Sequence, residues 1–402
     1  MKPEIKHSRG ALRLGLTGDS PISILPKAYY FFYYSALASL MPFLAIYYQG
    51  LGLSGSQIGL LSAIPPLVML IAAPLWGGLA DAHQQHRRLL LLAIAGVQFA
   101  VLLLMTAASF AWLIILVLVY SLFAAPIVPL IDNTVIDLLG ERKHTYGRQR
   151  LWGAVGWGLT APVVGWLTGR YGLTWPLWGF IILMVGVFLV SWVVPISHAR
   201  LSTSFWNNLG TMLSDRRWIF FLAIVFTAGL GFALINSFLL LYMGDLGGSK
   251  TLMGFSLTVA TISELPFWFF SDWFLKHWGA RRVLSIALAV LGARMLVMSI
   301  IREPWLILLP QLTHGITFAA LWAASVAYAS QIAPKGMGAT AQSLFAAVLS
   351  GLGGSVGAFI GGLMYEHTGP QSMFFWAGVV ITLAVAVFIF LGIKSAARET
   401  PS

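Results

Sequence analysis

Long apolar runs separated by short polar clusters organise this chain from residue 24 to residue 393. A run of about 18 or more apolar residues, wound as a helix, crosses the roughly 30 Å hydrocarbon core of a bilayer. The pattern predicts twelve such helices, at 24–49, 58–80, 89–108, 111–138, 148–169, 174–195, 217–243, 251–273, 283–301, 304–332, 338–365 and 370–393. A barrel strand needs only about 10 alternating residues, so run length favours helices over a membrane barrel. The longest polar gap, 197–216, reads as a linker, and nothing in the pattern suggests a soluble domain. Residues 1–23 lack the apolar stretch of a cleavable signal, which makes the first helix its own insertion signal. The expected organisation is an N-terminal segment 1–23, a bundle over 24–196, the linker 197–216, a second bundle over 217–393 and a tail 394–402.

Composition agrees with this all-α membrane reading. The 402 residues are 58% hydrophobic and 9% charged, whereas a soluble domain carries about 25% charged residues. A net charge of +11 could suggest nucleic acid, but its distribution points elsewhere. Of the 24 Lys and Arg, all but Arg170, Lys250, Arg302 and the intrahelical Arg294 fall on the side that holds both termini. That asymmetry is the positive-inside pattern, so both termini are expected in the cytoplasm, with anionic lipid rather than nucleic acid beside the basic loops. There are no cysteines, which excludes disulfides, thiolate metal sites and cysteine nucleophiles. No GxxxxGK[ST] loop occurs, so ATP hydrolysis is not the energy source. No metal cluster, cofactor motif or nucleophile is visible, and an enzyme is not expected.

The chain repeats itself. GGLADAHQQHRRLL (77–90) follows the second helix, as FSDWFLKHWGARRVL (270–284) follows the eighth. GWLTGRYGLTWPLW (165–178) links the fifth and sixth helices, as GGLMYEHTGPQSMFFW (361–376) links the eleventh and twelfth. Both offsets are a little over 190 residues, so six helices repeat as six helices. Two six-helix halves resemble the major facilitator superfamily, in which substrate binds between the halves near mid-membrane. Gly77, Asp81, Arg87 and Arg88 are similar to that superfamily's loop signature, with Gln84 standing where a glycine is usual. The resemblance implies a loop that latches the cytoplasmic side, its aspartate taking a helix dipole and pairing with arginines. On that reading Asp81→Asn slows alternation without changing recognition.

Two arginines, Arg148 and Arg150, stand at the start of the fifth helix, where a guanidinium at bilayer depth costs about 2.5–3.5 kcal/mol. Arg150 and Trp157 are seven residues apart, on one helical face, with Gly153 between them to leave room for a ligand. A planar fork and an aromatic plate on one face can hold the same solute. The order Tyr146-Gly147-Arg148-Gln149-Arg150-Leu151-Trp152 resembles the fifth helix of the lactose permease group of oligosaccharide–proton symporters. That resemblance implies a substrate-binding acid at Asp132, paired with Arg150, and a stacking role for Trp157. A purely structural clamp between Asp132 and Arg150 is the alternative. Arg148 reads as a lipid or loop contact, and Asn236 as a further donor to the cavity. Tyr29, Tyr30, Tyr33 and Tyr34 could face the cavity or anchor the first helix at the lipid interface.

Glu264, Arg294 and His314 are ionisable residues within apolar helices of the second half, and each such residue invites a functional explanation. They match the membrane acid, arginine and histidine of the same group, which implies a proton-coupling site. Thr317 and Gln311 depart from it, standing where that group has an acid and a lysine. SELPFWFF (263–270) and LTHGITF (312–318) are closer to the phenylpropionate-permease-like branch. The expected function is therefore a proton-coupled symporter of a small polar or aromatic-carboxylate solute, working as a monomer in the cell membrane. A proton-driven exporter of the same fold is the alternative, faintly supported by Ala161-Pro162-Val163-Val164-Gly165 and opposed by the lack of an acid in the first helix.

Overall fold

The structure, a computed structural model, describes residues 21–107, 109–195, 212, 214–334 and 337–399. Its described regular structure is entirely helical and forms twelve rods. They are α1 (Pro21–Gly50), α2 (Gly55–His83), α3 (His86–Leu104), α4 (Phe110–Ala124 and Ile127–Leu139), α5 (Tyr146–Tyr171) and α6 (Trp175–Val193). The second set is α7 (Arg216–Asp245), α8 (Lys250–Trp278), α9 (Ala280–Ile300), α10 (Leu308–Gln311, Gly315–Ala320 and Leu321–Ile332), α11 (Gly338–Ala346, Ala347–Gly353 and Gly354–His367) and α12 (Gly369–Glu399). Eleven of the rods are long and apolar enough to cross a membrane. The other, α5, dilutes its apolar character with glycines and with Arg148 and Arg150. Most of the 197–216 linker lies outside the described residues.

Local chemistry explains where the rods begin and bend. Ser54 and Gln57 close a capping box at the start of α2, and Asp215 and Ser249 cap α7 and α8 by accepting first-turn amides. Pro126, with no amide hydrogen, divides α4 into two pieces. Wider π turns occupy Gly315–Ala320 of α10 and Ala347–Gly353 of α11, interruptions that apolar periodicity does not announce.

Within the first set, α1 packs on α5 and α6, and α2 and α3 pack on α4; in the second, α7 packs on α11 and α12, and α9 on α12. The internal repeat reaches individual hydrogen bonds. Arg87 donates to the Val194 carbonyl at 2.6 Å, and Arg281, 194 positions later, donates to Phe388 at 3.1 Å, again 194 positions later. The α2 C-cap repeats as well. Gln84 adopts a left-handed φ of 54°, and Gly279 at the end of α8 has φ 77°. The glutamine thus occupies the position that glycine takes without strain.

Three rod pairs join the sets: α2 with α11, α5 with α8, and α1 with α7. Small residues bring the first two together at the end far from the termini. A Cβ on Gly59 would stand 2.7 Å from Gly362 Cα, and one on Gly254 would stand 2.6 Å from Pro162 Cα. Thr258 Oγ1 donates to the Gly158 carbonyl at 2.7 Å, and Glu366 accepts the Ser56 amide at 2.8 Å. Toward the termini the seams separate. Gly78, Gly147 and Gly338 have nothing within 4 Å of an added Cβ. The two sets are therefore sealed at the far end and parted at the end bearing the termini.

Candidate functional site: two polar clusters across the bundle

One cluster belongs to the first set. Arg150 Nη1 donates to Asp132 Oδ2 at 3.1 Å and to the Tyr146 hydroxyl at 3.0 Å, while Nη2 donates to the Tyr34 hydroxyl at 2.8 Å. Tyr30 donates to the other carboxylate oxygen, Asp132 Oδ1, at 2.6 Å. The guanidinium carbon also sits 5.8 Å from the Tyr34 ring centroid, within cation–π range. The side chains are 45% exposed for Arg150 and 19% for Asp132, so the arginine opens outward from a carboxylate held behind it. Helical spacing builds the cage. Tyr30 and Tyr34 are one turn apart on α1, and Tyr146 and Arg150 one turn apart on α5.

Here the structure corrects one expectation. The space left by Gly153 is taken by the Tyr34 ring, 2.5 Å from where a Cβ would stand, and not by an open ligand slot. The glycine allows α1 to approach so that Tyr34 can reach Arg150. Trp157 is half-buried two turns beyond Arg150, and Asn236 is exposed on α7 between buried Ile235 and half-buried Ser237. Neither makes a described hydrogen bond to the cluster. Tyr34 and Tyr146 are thus the hydroxyl acceptors of Arg150, while Tyr30, 1% exposed, holds Asp132 from within the bundle.

The second cluster joins α8, α9 and α10. Arg294 is 2% exposed and donates through Nη1 to His314 Nδ1 at 2.9 Å and to Thr317 Oγ1 at 2.9 Å, and through Nη2 to the Gln311 side-chain oxygen. An arginine nitrogen only donates, so His314 Nδ1 accepts and its proton sits on Nε2. Nε2 lies 3.2 Å from Glu264 Oε1, and the Trp268 indole donates to Oε2 at 3.1 Å. The imidazole therefore lies between the buried cation and the carboxylate, which do not touch. Ser263 extends the network by accepting the Gly315 amide at 3.0 Å, and His314 stacks on Phe318 with ring centroids 5.5 Å apart. Thr317 and Gln311, noticed in the sequence only as departures from a pattern, are the neutral acceptors of Arg294.

The loop residues divide. Gly77 is buried in α2 and Arg88 is exposed, while Arg87 is committed to the Val194 carbonyl at the end of α6. The Asp81 side chain lies outside the described residues. No group of His, Asp and Glu among the described residues could hold a metal ion.

Two six-rod sets, sealed at one end and lined by these clusters, match known transporters. Residues 24–376 match the MFS_1 like family. The chain belongs to that family, a branch of the major facilitator transporters. It is 27% identical to a maltose permease of Geobacillus stearothermophilus over 90% of this chain and 93% of that protein. It is 25% identical to a probable 3-phenylpropionic acid transporter of Escherichia coli, over 88% and 93%. The crystal structure of the nucleoside transporter NupG superposes with a TM-score of 0.83 at 16% identity, covering 95% of this chain and all of that one. The chain is accordingly a multi-pass membrane transporter of this fold, and not an enzyme.

Proposed function

We propose that this chain is a proton-coupled symporter that moves a small, uncharged, oxygen-rich solute by alternating access, with both termini in the cytoplasm. The observation that carries the solute class is the state of Arg150. Its charge is already matched by Asp132, yet it faces the gap between the two sets. A guanidinium has five N–H donors, and the bonds to Asp132, Tyr146 and Tyr34 use three of them. The site therefore offers spare donors with little net charge, which suits hydroxyl, ether or carbonyl oxygens. A carboxylate solute would have to compete with Asp132 for the same fork. In the other cluster, Arg294 and Glu264 balance each other through His314, so no uncompensated cation remains there for an anion. The relative named for maltose carries an uncharged hydroxylated solute in its name, which supports the same class, while the one named for 3-phenylpropionic acid carries the carboxylate that the Arg150 argument disfavours.

Asp132, Arg150, Trp157 and Asn236 are assigned to solute binding, and Glu264, Arg294 and His314 to coupling. Gly77, Asp81, Arg87 and Arg88 are assigned to the gate on the termini side, and the working unit is a monomer. Counterflow in proteoliposomes tests the solute class: uncharged sugars or nucleosides exchange, and arylcarboxylates do not. Exchange of a carboxylate with every uncharged solute inert would overturn the charge argument. Orientation is tested apart from this, by reporter fusions at Ser402 and after Gly247. They are expected on opposite faces of the membrane, with Ser402 inside, and signals from one face would sink the topology.

A further inference from the structure

The seam between α5 and α8 fixes how the two polar clusters stand relative to each other. A Cβ on Gly254 would meet Ala161 and Pro162, and Thr258 donates to the Gly158 carbonyl, so the two helices run antiparallel. Each step along α8 toward the termini end is a step back along α5. That register sets Arg150 at the height of Leu265 and Pro266, and Trp268 stands within about 3–5 Å of the same height. Trp157 lies about 10 Å further along α5. A solute ring held by Arg150 therefore has Trp268 beside it, and Trp157 is left to a more distant part of the solute.

Direction agrees with height. At about 100° per residue, Arg150 points about 80° away from the Gly158 contact line, and Trp268 about 80° in the same sense from the Thr258 line. On antiparallel helices, equal turns in one sense lead to the same side of the seam. That side is the interior of the bundle. Arg150 reaches Tyr34 of α1 there, and Glu264, bonded to Trp268, faces His314 of α10. The opposite flanks expose Leu159 and Trp166 on α5 and Ile262 and Phe270 on α8, an apolar surface suited to lipid. Trp268 is 40% exposed, and its indole N–H is tied to Glu264 Oε2 at 3.1 Å. The tether holds the ring by its edge and leaves the faces to other contacts. About two turns further on, the seam is shut at Gly158 and Thr258, so Arg150 and Trp268 line the narrow end of the gap.

We propose that Trp268 is the solute-stacking wall of the second set, across the gap from Arg150, and that it selects solutes with a flat apolar ring face and oxygens around the edge. The ring of a sugar or nucleoside lies on the indole while its edge oxygens take the spare Arg150 donors. An open-chain polyol offers the same oxygens without the face. The polar cluster alone cannot tell the two apart, so the wall supplies the discrimination.

This inference rests on the uncharged-solute reading of the proposed function, and the test separates the two. Counterflow in proteoliposomes is measured with methyl glucoside, sucrose and uridine as ring probes, and with sorbitol as an open chain equally rich in oxygen. The unsubstituted chain is expected to exchange a ring probe and to prefer it to sorbitol. Trp268→Leu should weaken that ring probe by roughly three- to tenfold, the range for a lost aromatic contact, and leave sorbitol no worse. Trp268→Phe loses the N–H to Glu264 but keeps a plate, and should stay within about twofold of the unsubstituted chain. A role exerted only through Glu264 would make Phe fall with Leu, and ring and chain fall together. That pattern, or unchanged ring affinity in Trp268→Leu, overturns the wall and leaves the solute class standing. A second measurement keeps Trp268 in place. The chain has no cysteine, so Leu265→Cys supplies a single thiol at the height of Arg150, and the exchanged ring probe should shield it from N-ethylmaleimide. Full labelling in a variant that still exchanges the probe sets the solute elsewhere and also overturns the wall. Exchange of an arylcarboxylate with every ring probe inert overturns both this inference and the solute class.

Discussion

Arg150→Lys lowers solute affinity by roughly ten- to a hundredfold, the loss expected for about 1.4–2.7 kcal/mol of hydrogen bonding to a charged group. The guanidinium reaches three partners from two nitrogens, with Nη1 shared by Asp132 and Tyr146 and Nη2 given to Tyr34. One ammonium nitrogen cannot span those directions and still present hydrogens to a ligand. Asp132→Asn acts on the same unit by another route, because it removes the charge that both Tyr30 and Arg150 are arranged around. An unmatched arginine in the cavity would then favour anions, so Asp132→Asn should lose the uncharged solute and gain weak affinity for a carboxylate. Equilibrium binding measures both, with thermal unfolding to verify the fold. Unchanged affinity in Arg150→Lys and Asp132→Asn would reduce the cluster to a structural clamp between α4 and α5. The double substitution should cost little more than the worse single one, since the residues act on one interaction.

The sequence already contained the long-range plan of this fold, because membrane burial writes helices as apolar runs and leaves charges at their ends. All twelve predicted runs correspond to rods, although the α8 run 251–273 ends a turn short of Trp278. That turn carries Asp272, Lys276 and aromatic residues, which blunt the apolar signal without unwinding the helix. The break at Pro126 and the π turns in α10 and α11 lie inside continuous apolar runs, where hydropathy has nothing to report. Of the site, the Asp132–Arg150 and Glu264–His314 pairs were legible because charge within an apolar run is conspicuous. The sequence left Tyr30 and Tyr34 open between cavity and lipid interface and gave the Tyr146 hydroxyl no role, since a tyrosine reads equally as core, belt or ligand. Their one signal was spacing: each pair partner stands four residues away, on α1 or on α5. Gly153 was misread for a related reason. Sequence can say that space is left, but only the approach of α1 says that Tyr34 fills it.

Glu264→Gln abolishes accumulation driven by a pH gradient and leaves solute exchange intact. Within the second cluster Glu264 is the only acid, and His314 is held neutral-side inward because Arg294 occupies Nδ1 as a donor. Both carboxylate oxygens accept N–H groups, Oε1 facing His314 Nε2 and Oε2 facing Trp268. A proton arriving on this carboxylate turns an acceptor into a donor and must displace one of those two contacts. His314 is anchored by Arg294 and stacked on Phe318, whereas Trp268 is 40% exposed, so the Trp268 contact is the one that yields. Binding a proton therefore changes geometry at the open face of α8, on the seam with α5, which gives coupling a physical route to the gate. Glutamine cannot cycle through the two states, and exchange survives because it moves no net proton. An amide also sets its NH₂ against one of the two opposing donors, so Glu264→Gln with Trp268→Phe removes the clash and separates loss of coupling from loss of fold. Should Glu264→Gln still concentrate solute against its gradient under an imposed pH difference, the coupling proton is carried elsewhere. Asp132 then becomes the residue to test.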